Sequence, residues 1–200
     1  MDLKRRRKSE KGTFPPNPNQ WDAERIGINL RLEFEIPPDG PLRPFGISIP
    51  NTTLLKSRLD VEEFIDESLS EILFEEIGNQ WSGMTIPCDD EFIVIVNETH
   101  SANRNAATLM EEYFHILLDH SPCRIFQCPS TGMFKRQYEK SVEEEAYFSA
   151  AASLVPYRQL KTMVAKEETV VEIASHFEVS RQLVTMRLKT CRLYRKAIKH

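Results

Sequence analysis

The segment from residue 81 to residue 119 most constrains the fold of this chain. Trp81 to Ile86 and Glu91 to Asn97 are apolar runs separated by Cys88 to Asp90, which predicts a hairpin that leads into a buried strand. Apolar residues then recur at helical spacing from Ala106 to Asp119. A buried strand that feeds directly into an amphipathic helix favours the α+β class.

Four further segments are predicted around this unit. An Ala-rich helix runs from Ser141 to Leu154 and is stopped by a proline. An amphipathic helix is expected from Asp60 to Ile77, with Asp60 as its N-cap. Ile26 to Ile49 contains four prolines and predicts short strands and turns, and Thr169 to Ala197 is helical.

Charge divides the chain into three parts. Residues 1–12 carry six basic and two acidic side chains, residues 158–200 carry ten and four, and the remaining middle is strongly acidic. We therefore expect a disordered basic and Pro-rich arm over 1–20, a main domain over 21–157 and a helical subdomain over 158–200. An acidic body argues against a protein that coats nucleic acid with its whole surface.

Cysteine usage and hydropathy predict the compartment. Four scattered cysteines lack CxxC spacing and predict reduced thiols, and the basic N-terminus is followed by no apolar segment of a secretory signal. No run reaches the ~20 apolar residues of a membrane helix. We expect a cytoplasmic protein without a membrane partner. No Gly-rich phosphate loop or nucleophile elbow supports small-molecule chemistry.

Ligand-type side chains concentrate on the two central helices. Glu111 and His115 are four residues apart and so project from one helix face, with Glu112 beside them. In HExxH helices two residues at this spacing hold zinc, and the intervening Glu activates water. The three glutamates 143–145 offer a third ligand on the second helix.

The strings around these residues are similar to the core of the ImmA/IrrE family, whose members have an IrrE N-terminal-like domain. The family helix has the form T-L-x-H-E-x-x-H-x-L-L-x-H, and it follows a buried strand that ends in Asn and an Arg before the helix. A second family helix has the form E-A-x-x-F-A-A-x-L-L-x-P. The corresponding strings here are WSGMTIP, FIVIVNETH, Arg104 to His120 and Glu145 to Pro156. Glu172 to Leu188 also resembles the short helix–turn–helix that closes many members of the family.

The resemblance implies a zincin-like metallopeptidase core. By position it makes Glu112 the catalytic base and His115 and Glu145 zinc ligands, while Glu111 stands where the first histidine ligand is usual. His120 lies near the family's trailing histidine and is expected to support the site without binding metal. Family members are zinc endopeptidases, and several cleave helix–turn–helix repressors in stress or mobile-element responses, which makes such a repressor the expected partner.

A glutamate at position 111 changes the expected chemistry. Two carboxylates and one imidazole neutralise Zn²⁺, so the metal acidifies bound water less and hydrolysis slows. The oxygen-rich set also suits Mn²⁺. The alternative is a catalytically impaired protein that binds its partner, or DNA, without cutting.

The C-terminal part predicts a helix–turn–helix. Val170 to Leu193 has an apolar first helix, a turn with Ser180 as N-cap, and a basic second helix. We favour recognition of a protein substrate by this element, and DNA binding is the other hypothesis. The candidate contact residues are Arg181, Gln182, Arg187 and Lys189.

Overall fold

The computed structural model describes residues 18–121, 124–127, 134–137 and 139–194. It confirms the α+β class, since a three-stranded sheet and a two-stranded hairpin accompany eight α-helices in the described ranges. Most of the predicted N-terminal arm lies outside these residues. Within the described part of the chain, no helix is long and apolar enough to cross a membrane.

The sheet confirms the predicted hairpin and places it beside the site. β1 (Thr52–Leu55) pairs parallel to β3 (Glu91–Val96), and β2 (Gly83–Cys88) pairs antiparallel to β3. The strand order β1-β3-β2 leaves β2 at an edge. Pro87 within β2 suits an edge, because proline has no N–H to donate to a second neighbour.

Helices α4 (Ala102–Leu117) and α5 (Lys140–Leu154) match the two predicted central helices to within a few residues. Between them lies a hairpin of β4 (Arg124–Gln127) and β5 (Phe134–Gln137). The Ser101 side chain caps α4 by accepting a hydrogen bond from the Arg104 N–H. The side chains that α4 buries include Leu109, Met110, Tyr113 and Phe114. The helix is thereby fixed along one face while its other face borders a cavity.

The prediction of strands for residues 26–49 is wrong: a helix covers the first third, and the remainder holds turns and a 3₁₀ turn at Pro44–Gly46, with the first strand starting only at Thr52. Helix α1 (Pro18–Glu33) packs against α5, with Leu30 fully buried. Gly27 permits this approach, because a Cβ there would lie 2.6 Å from the backbone nitrogen of Ser153. The prolines of this segment begin only after α1 ends, so they say nothing about the residues that precede them.

The single helix predicted over residues 60–77 is also wrong. The structure has α2 (Arg58–Glu62), α3 (Glu67–Glu71) and a π-helical turn (Ile72–Glu76). Ser57 is the N-cap of α2, and Asp60 is its capping-box partner at the third position rather than the N-cap. Side chains that bind nearby backbone N–H groups start new short helices, although the apolar spacing continues.

Three helices form the C-terminal part: α6 (Tyr157–Ala165), α7 (Val170–His176) and α8 (Arg181–Thr190). The predicted helical segment is confirmed over α7 and α8, and so is the N-cap at Ser180, which accepts a hydrogen bond from the Leu183 N–H. Sequence periodicity missed α6. The function of the α7–α8 pair as a helix–turn–helix stays a prediction.

A buried ion pair joins the two ends of the described chain. Arg187 of α8 binds the carboxylate of Glu24 in α1, and each residue is 2 % exposed. Glu24 also accepts a hydrogen bond from the Tyr157 N–H at 3.1 Å, and Arg187 donates to the Val155 carbonyl at 3.0 Å. The prediction that Arg187 contacts a partner is therefore corrected: burial makes it structural. One hydrophobic core contains residues of α1, α4, α5, α6, α7 and α8, and the boundary at residue 157 stays a prediction.

Candidate metal centre

Three side chains from α4 and α5 converge at one point. Glu111, His115 and Glu143 each offer a ligand atom, and these atoms lie within 4.8 Å of one another. His115 Nε2 lies 4.0 Å from a Glu143 carboxylate oxygen. All three residues are half-buried, so they are partly desolvated and still reachable from solvent.

The chemistry of this donor set fits a divalent cation. Two bonds of ~2.1 Å reach across about 4.2 Å, so one cation can contact atoms that are 4.0 Å apart. Two carboxylates so close together repel each other, and a dication between them would relieve that repulsion. One imidazole with two carboxylates is a set that both zinc and manganese accept.

Glu112 lies next to this group and is held from the sheet. Thr85 in β2 donates a hydrogen bond of 2.7 Å to the Glu112 carboxylate. Close contact between β2 and α4 depends on Gly83, where a Cβ would meet the Thr108 methyl carbon at 2.4 Å and Glu112 Oε1 at 3.3 Å. The edge strand therefore lies directly against the helix turn that carries Glu112.

A hydrogen-bonded chain supports His115 from behind. His115 Nδ1 lies 3.1 Å from His120 Nδ1, and His120 Nε2 lies 3.1 Å from a Glu145 carboxylate oxygen. If His115 Nε2 is to accept a metal, its proton must lie on Nδ1 and be donated to His120, whose own proton then goes to Glu145. The His120 side chain is only 6 % exposed, so the chain fixes the ring of His115.

The structure corrects the assignment of Glu145 as the third metal ligand, which the resemblance implied, and selects Glu143 from the three glutamates 143–145. Glu145 contacts His120, and Glu143 joins Glu111 and His115. The sequence could not select Glu143, because residues 143 and 145 lie on nearly opposite sides of α5, about 200° of helix rotation apart, and spacing alone does not show how α5 is turned against α4. Glu144 is exposed and pairs with Lys140, as expected for a residue on the solvent face.

A cavity of about 340 Å³ opens over these residues. It follows α4 from Arg104 past Thr108 to Asp119, with residues 80–87 along its opposite side. Arg104 donates a hydrogen bond of 2.8 Å to the Ser82 hydroxyl, which links the helix start to the strand. Tyr147 lies near Glu111. Burial raises the pKa of the Tyr147 phenol, and the negative charge of Glu111 raises it further.

The buried side chain of Asn97 holds Trp81, which lines this cavity. Its Nδ2 donates to the carbonyls of Gly78 at 2.6 Å and Trp81 at 3.1 Å, while its Oδ1 accepts from Thr99. The segment that enters β2 is thus tied to the end of β3. Nothing in the sequence distinguishes this asparagine from an ordinary end-of-strand residue except the resemblance.

The remaining predicted contact residues lie elsewhere. Arg181, Gln182 and Lys189 are exposed on α8 and do not line the cavity over α4. A separate shallow surface runs along them. Their role in binding a partner stays a prediction.

A helix that carries Glu-Glu-x-x-His beneath an edge strand, with a carboxylate supplied by the following helix, defines a metallopeptidase-like protein. The family model described as the IrrE N-terminal-like domain, a peptidase family, matches residues 80–189. Because the match covers more than half of the chain, the protein belongs to that family, whose members are typically metal-dependent. The matched region includes the three converging ligands and extends into α8. No curated protein and no solved structure matches this chain.

Proposed function

We propose that this protein is a metal-dependent endopeptidase whose divalent cation, zinc or manganese, is held by Glu111, His115 and Glu143. The observation that carries the proposal is the convergence of these three ligand atoms within 4.8 Å, next to Glu112. The family match supports the same chemistry independently of the geometry.

A bound dication would supply a Lewis acid that polarises the scissile carbonyl and lowers the pKa of water. Glu112 takes the proton of the attacking water and passes it to the departing amine nitrogen. Thr85 restrains that carboxylate through its 2.7 Å hydrogen bond, so Glu112 keeps one orientation through both transfers. The chain Glu145–His120 keeps His115 facing the cation.

The free edge of β2 is the proposed platform for the substrate backbone. β2 pairs with β3 on one side among the described residues, and Gly83, Thr85 and Pro87 of β2 line the cavity. An extended peptide can add to such an edge through main-chain hydrogen bonds. This geometry suits a segment of polypeptide that is unfolded or locally opened.

The glutamate at position 111 sets the expected rate. The carboxylates of Glu111 and Glu143 together neutralise a dication, which makes it a weaker electrophile than one bound by two imidazoles. We therefore expect slow turnover and a tolerance for Mn²⁺, whose preferred ligands are oxygen atoms. Slow cleavage is compatible with a regulatory protease that acts once on each substrate molecule.

The proposed substrate is a helix–turn–helix transcriptional repressor, as the family resemblance implies, cleaved in a stress or mobile-element response. The proposed compartment is the cytoplasm, where such repressors act. The free thiols of Cys88 and Cys191 are compatible with a reducing environment. Exposed Arg181, Gln182 and Lys189 are available to help bind the repressor.

The test is cleavage of a proteome-derived peptide library by purified protein, with new termini read by mass spectrometry. Protein loaded with Zn²⁺ or Mn²⁺ should generate termini that disappear with EDTA and return when the metal is restored. Termini that persist in EDTA would contradict metal-dependent cleavage, and no new termini with either metal would favour a family member that binds without cutting.

A further inference from the structure

The cavity over α4 has opposite charges at its two ends. Arg104 lines the end at the helix start, and Asp119 lines the end just beyond the last turn. Both residues are exposed, so each can reach a bound molecule. Between them, a dication would balance the Glu111 and Glu143 carboxylates, and Glu112 has its role as the proposed base, so Arg104 and Asp119 are the lining charges left to meet substrate side chains.

Helix stability does not explain this placement. The start of a helix favours acidic side chains and its end favours basic ones, because of the helix dipole. α4 has no acidic residue in its first turn and instead places Arg104 there, while Asp119 follows its end. Both charges therefore oppose the helix preference, and both add to the potential of the dipole at their end of the cavity.

The spacing matches an extended peptide centred on the metal group. Arg104 precedes Glu111 by seven residues, about 10 Å along the helix axis, which corresponds to about three residues of extended peptide at ~3.3 Å each. Asp119 lies just beyond the helix end, four residues after His115, and lines the cavity on the other side of the metal group.

The contact between Arg104 and Ser82 sets the direction of the strand relative to these charges. β2 starts at the Arg104 end, passes Glu112 at Thr85 and continues away from it. A peptide that adds to β2 in the commoner antiparallel sense runs the opposite way. Its residues before the scissile bond then face Asp119, and those after it face Arg104.

On this basis we infer that the cavity selects peptides by charge order: basic side chains before the scissile bond and acidic side chains after it. Arg104 and Asp119 are the specificity-determining residues. This inference rests on the proposed peptidase function for the position of the scissile bond.

The test uses two fluorescent peptides of identical composition, one with two lysines before an apolar centre and two glutamates after it, and one with the order reversed. Binding is measured by anisotropy on zinc-loaded Glu112→Gln protein, which removes turnover. At low salt the lysine-first peptide should bind about tenfold more tightly, as two exposed charge pairs allow. The difference should shrink at high salt.

The double variant Arg104→Glu with Asp119→Lys, in the same background, should reverse the preference. A matched control, Arg158→Glu with Glu63→Lys, reverses two exposed charges that do not line the cavity and should keep the original order. Equal binding of both peptides, binding of neither, or a preference unchanged by the double variant would overturn the inference.

Cleavage by the unmutated protein separates this result from the proposed function. Charge-ordered binding without cleavage of any peptide would refute the peptidase activity and leave a cavity that binds peptides by charge order. Cleavage of both peptides at equal rates would support the peptidase activity and refute selection by charge order.

Discussion

Glutamates occupy two regions of this molecule in opposite surroundings. Glu24 lies in the core against Arg187, both 2 % exposed, so that opposite charges neutralise each other inside the protein. Glu111 and Glu143 instead meet as like charges at the border of a cavity. The first arrangement is complete within the chain, whereas the second would be completed by the proposed cation.

The comparison shows that what a charged residue faces decides its role more than its type or its neighbours in sequence. Arg187 belongs to a basic helix and resembles a contact residue in the sequence, but its partner is a carboxylate in α1, 163 positions away. Glu143 resembles a solvated first-turn residue, but its partners are on the preceding helix.

The largest effect should follow from Glu112→Gln. Loss of the general base is expected to lower kcat/KM about a thousandfold, because glutamine cannot take a proton from water. The bound metal and the melting temperature should stay unchanged, since the residue is not one of the three converging ligands. Glu144→Gln is the matched control, because Glu144 is exposed. Retained activity in Glu112→Gln would remove this residue from the mechanism.

The buried pair should yield the largest change in stability. Glu24→Gln leaves Arg187 charged, buried and without its counter-ion, which is expected to cost about 3–5 kcal/mol of unfolding free energy. Replacing both residues, with Glu24→Leu and Arg187→Met, should cost much less than the sum of the two single changes. Urea denaturation measures both, and a cost below about 1 kcal/mol for Glu24→Gln would contradict the structural role.

The support behind His115 should affect metal affinity more modestly. His120→Ala and Glu145→Gln are each expected to weaken zinc binding by about 10- to 100-fold, because either change frees the His115 ring to turn. Combining them should add little, since both act through one hydrogen-bonded chain. His176→Ala serves as control, and additive losses in the double variant would mean that the two residues act separately.

A smaller loss of stability is expected from a substitution where β2 packs against α4. Gly83→Ala places a methyl group 2.4 Å from the Thr108 methyl carbon and should cost about 1–3 kcal/mol through overpacking. Thr108→Ser removes that methyl group and should restore much of the loss. Thermal unfolding of the single and double variants tests this, and an absence of rescue would place the strain elsewhere.

Sequence patterns predicted correctly those helices and strands whose own residues show regular apolar spacing. The hairpin before Asn97 and the helices α4 and α5 follow from alternating and helical spacing near clear start and stop residues. The same reasoning failed for α1, where prolines further along suggested strands, and for residues 58–76, where local caps divide one pattern into short helices.

For the site, spacing within one helix placed Glu111, Glu112 and His115 together, because an i, i+4 relation is local. Spacing could not choose between Glu143 and Glu145, because that depends on how α5 rotates against α4. The rotation is set by packing that includes the contact of α1 with α5. Long-range contacts of this kind leave no periodic trace in a single sequence.

Metal binding by single-residue variants at positions 143, 144 and 145 tests the central claim most directly. The unmutated chain should hold about one zinc or manganese ion after dialysis. Glu143→Gln should weaken binding more than 100-fold, Glu145→Gln about tenfold, and Glu144→Gln not at all, because only Glu143 converges with Glu111 and His115. An unmutated chain that binds no metal, or a Glu143→Gln variant that binds it as tightly, would contradict the account.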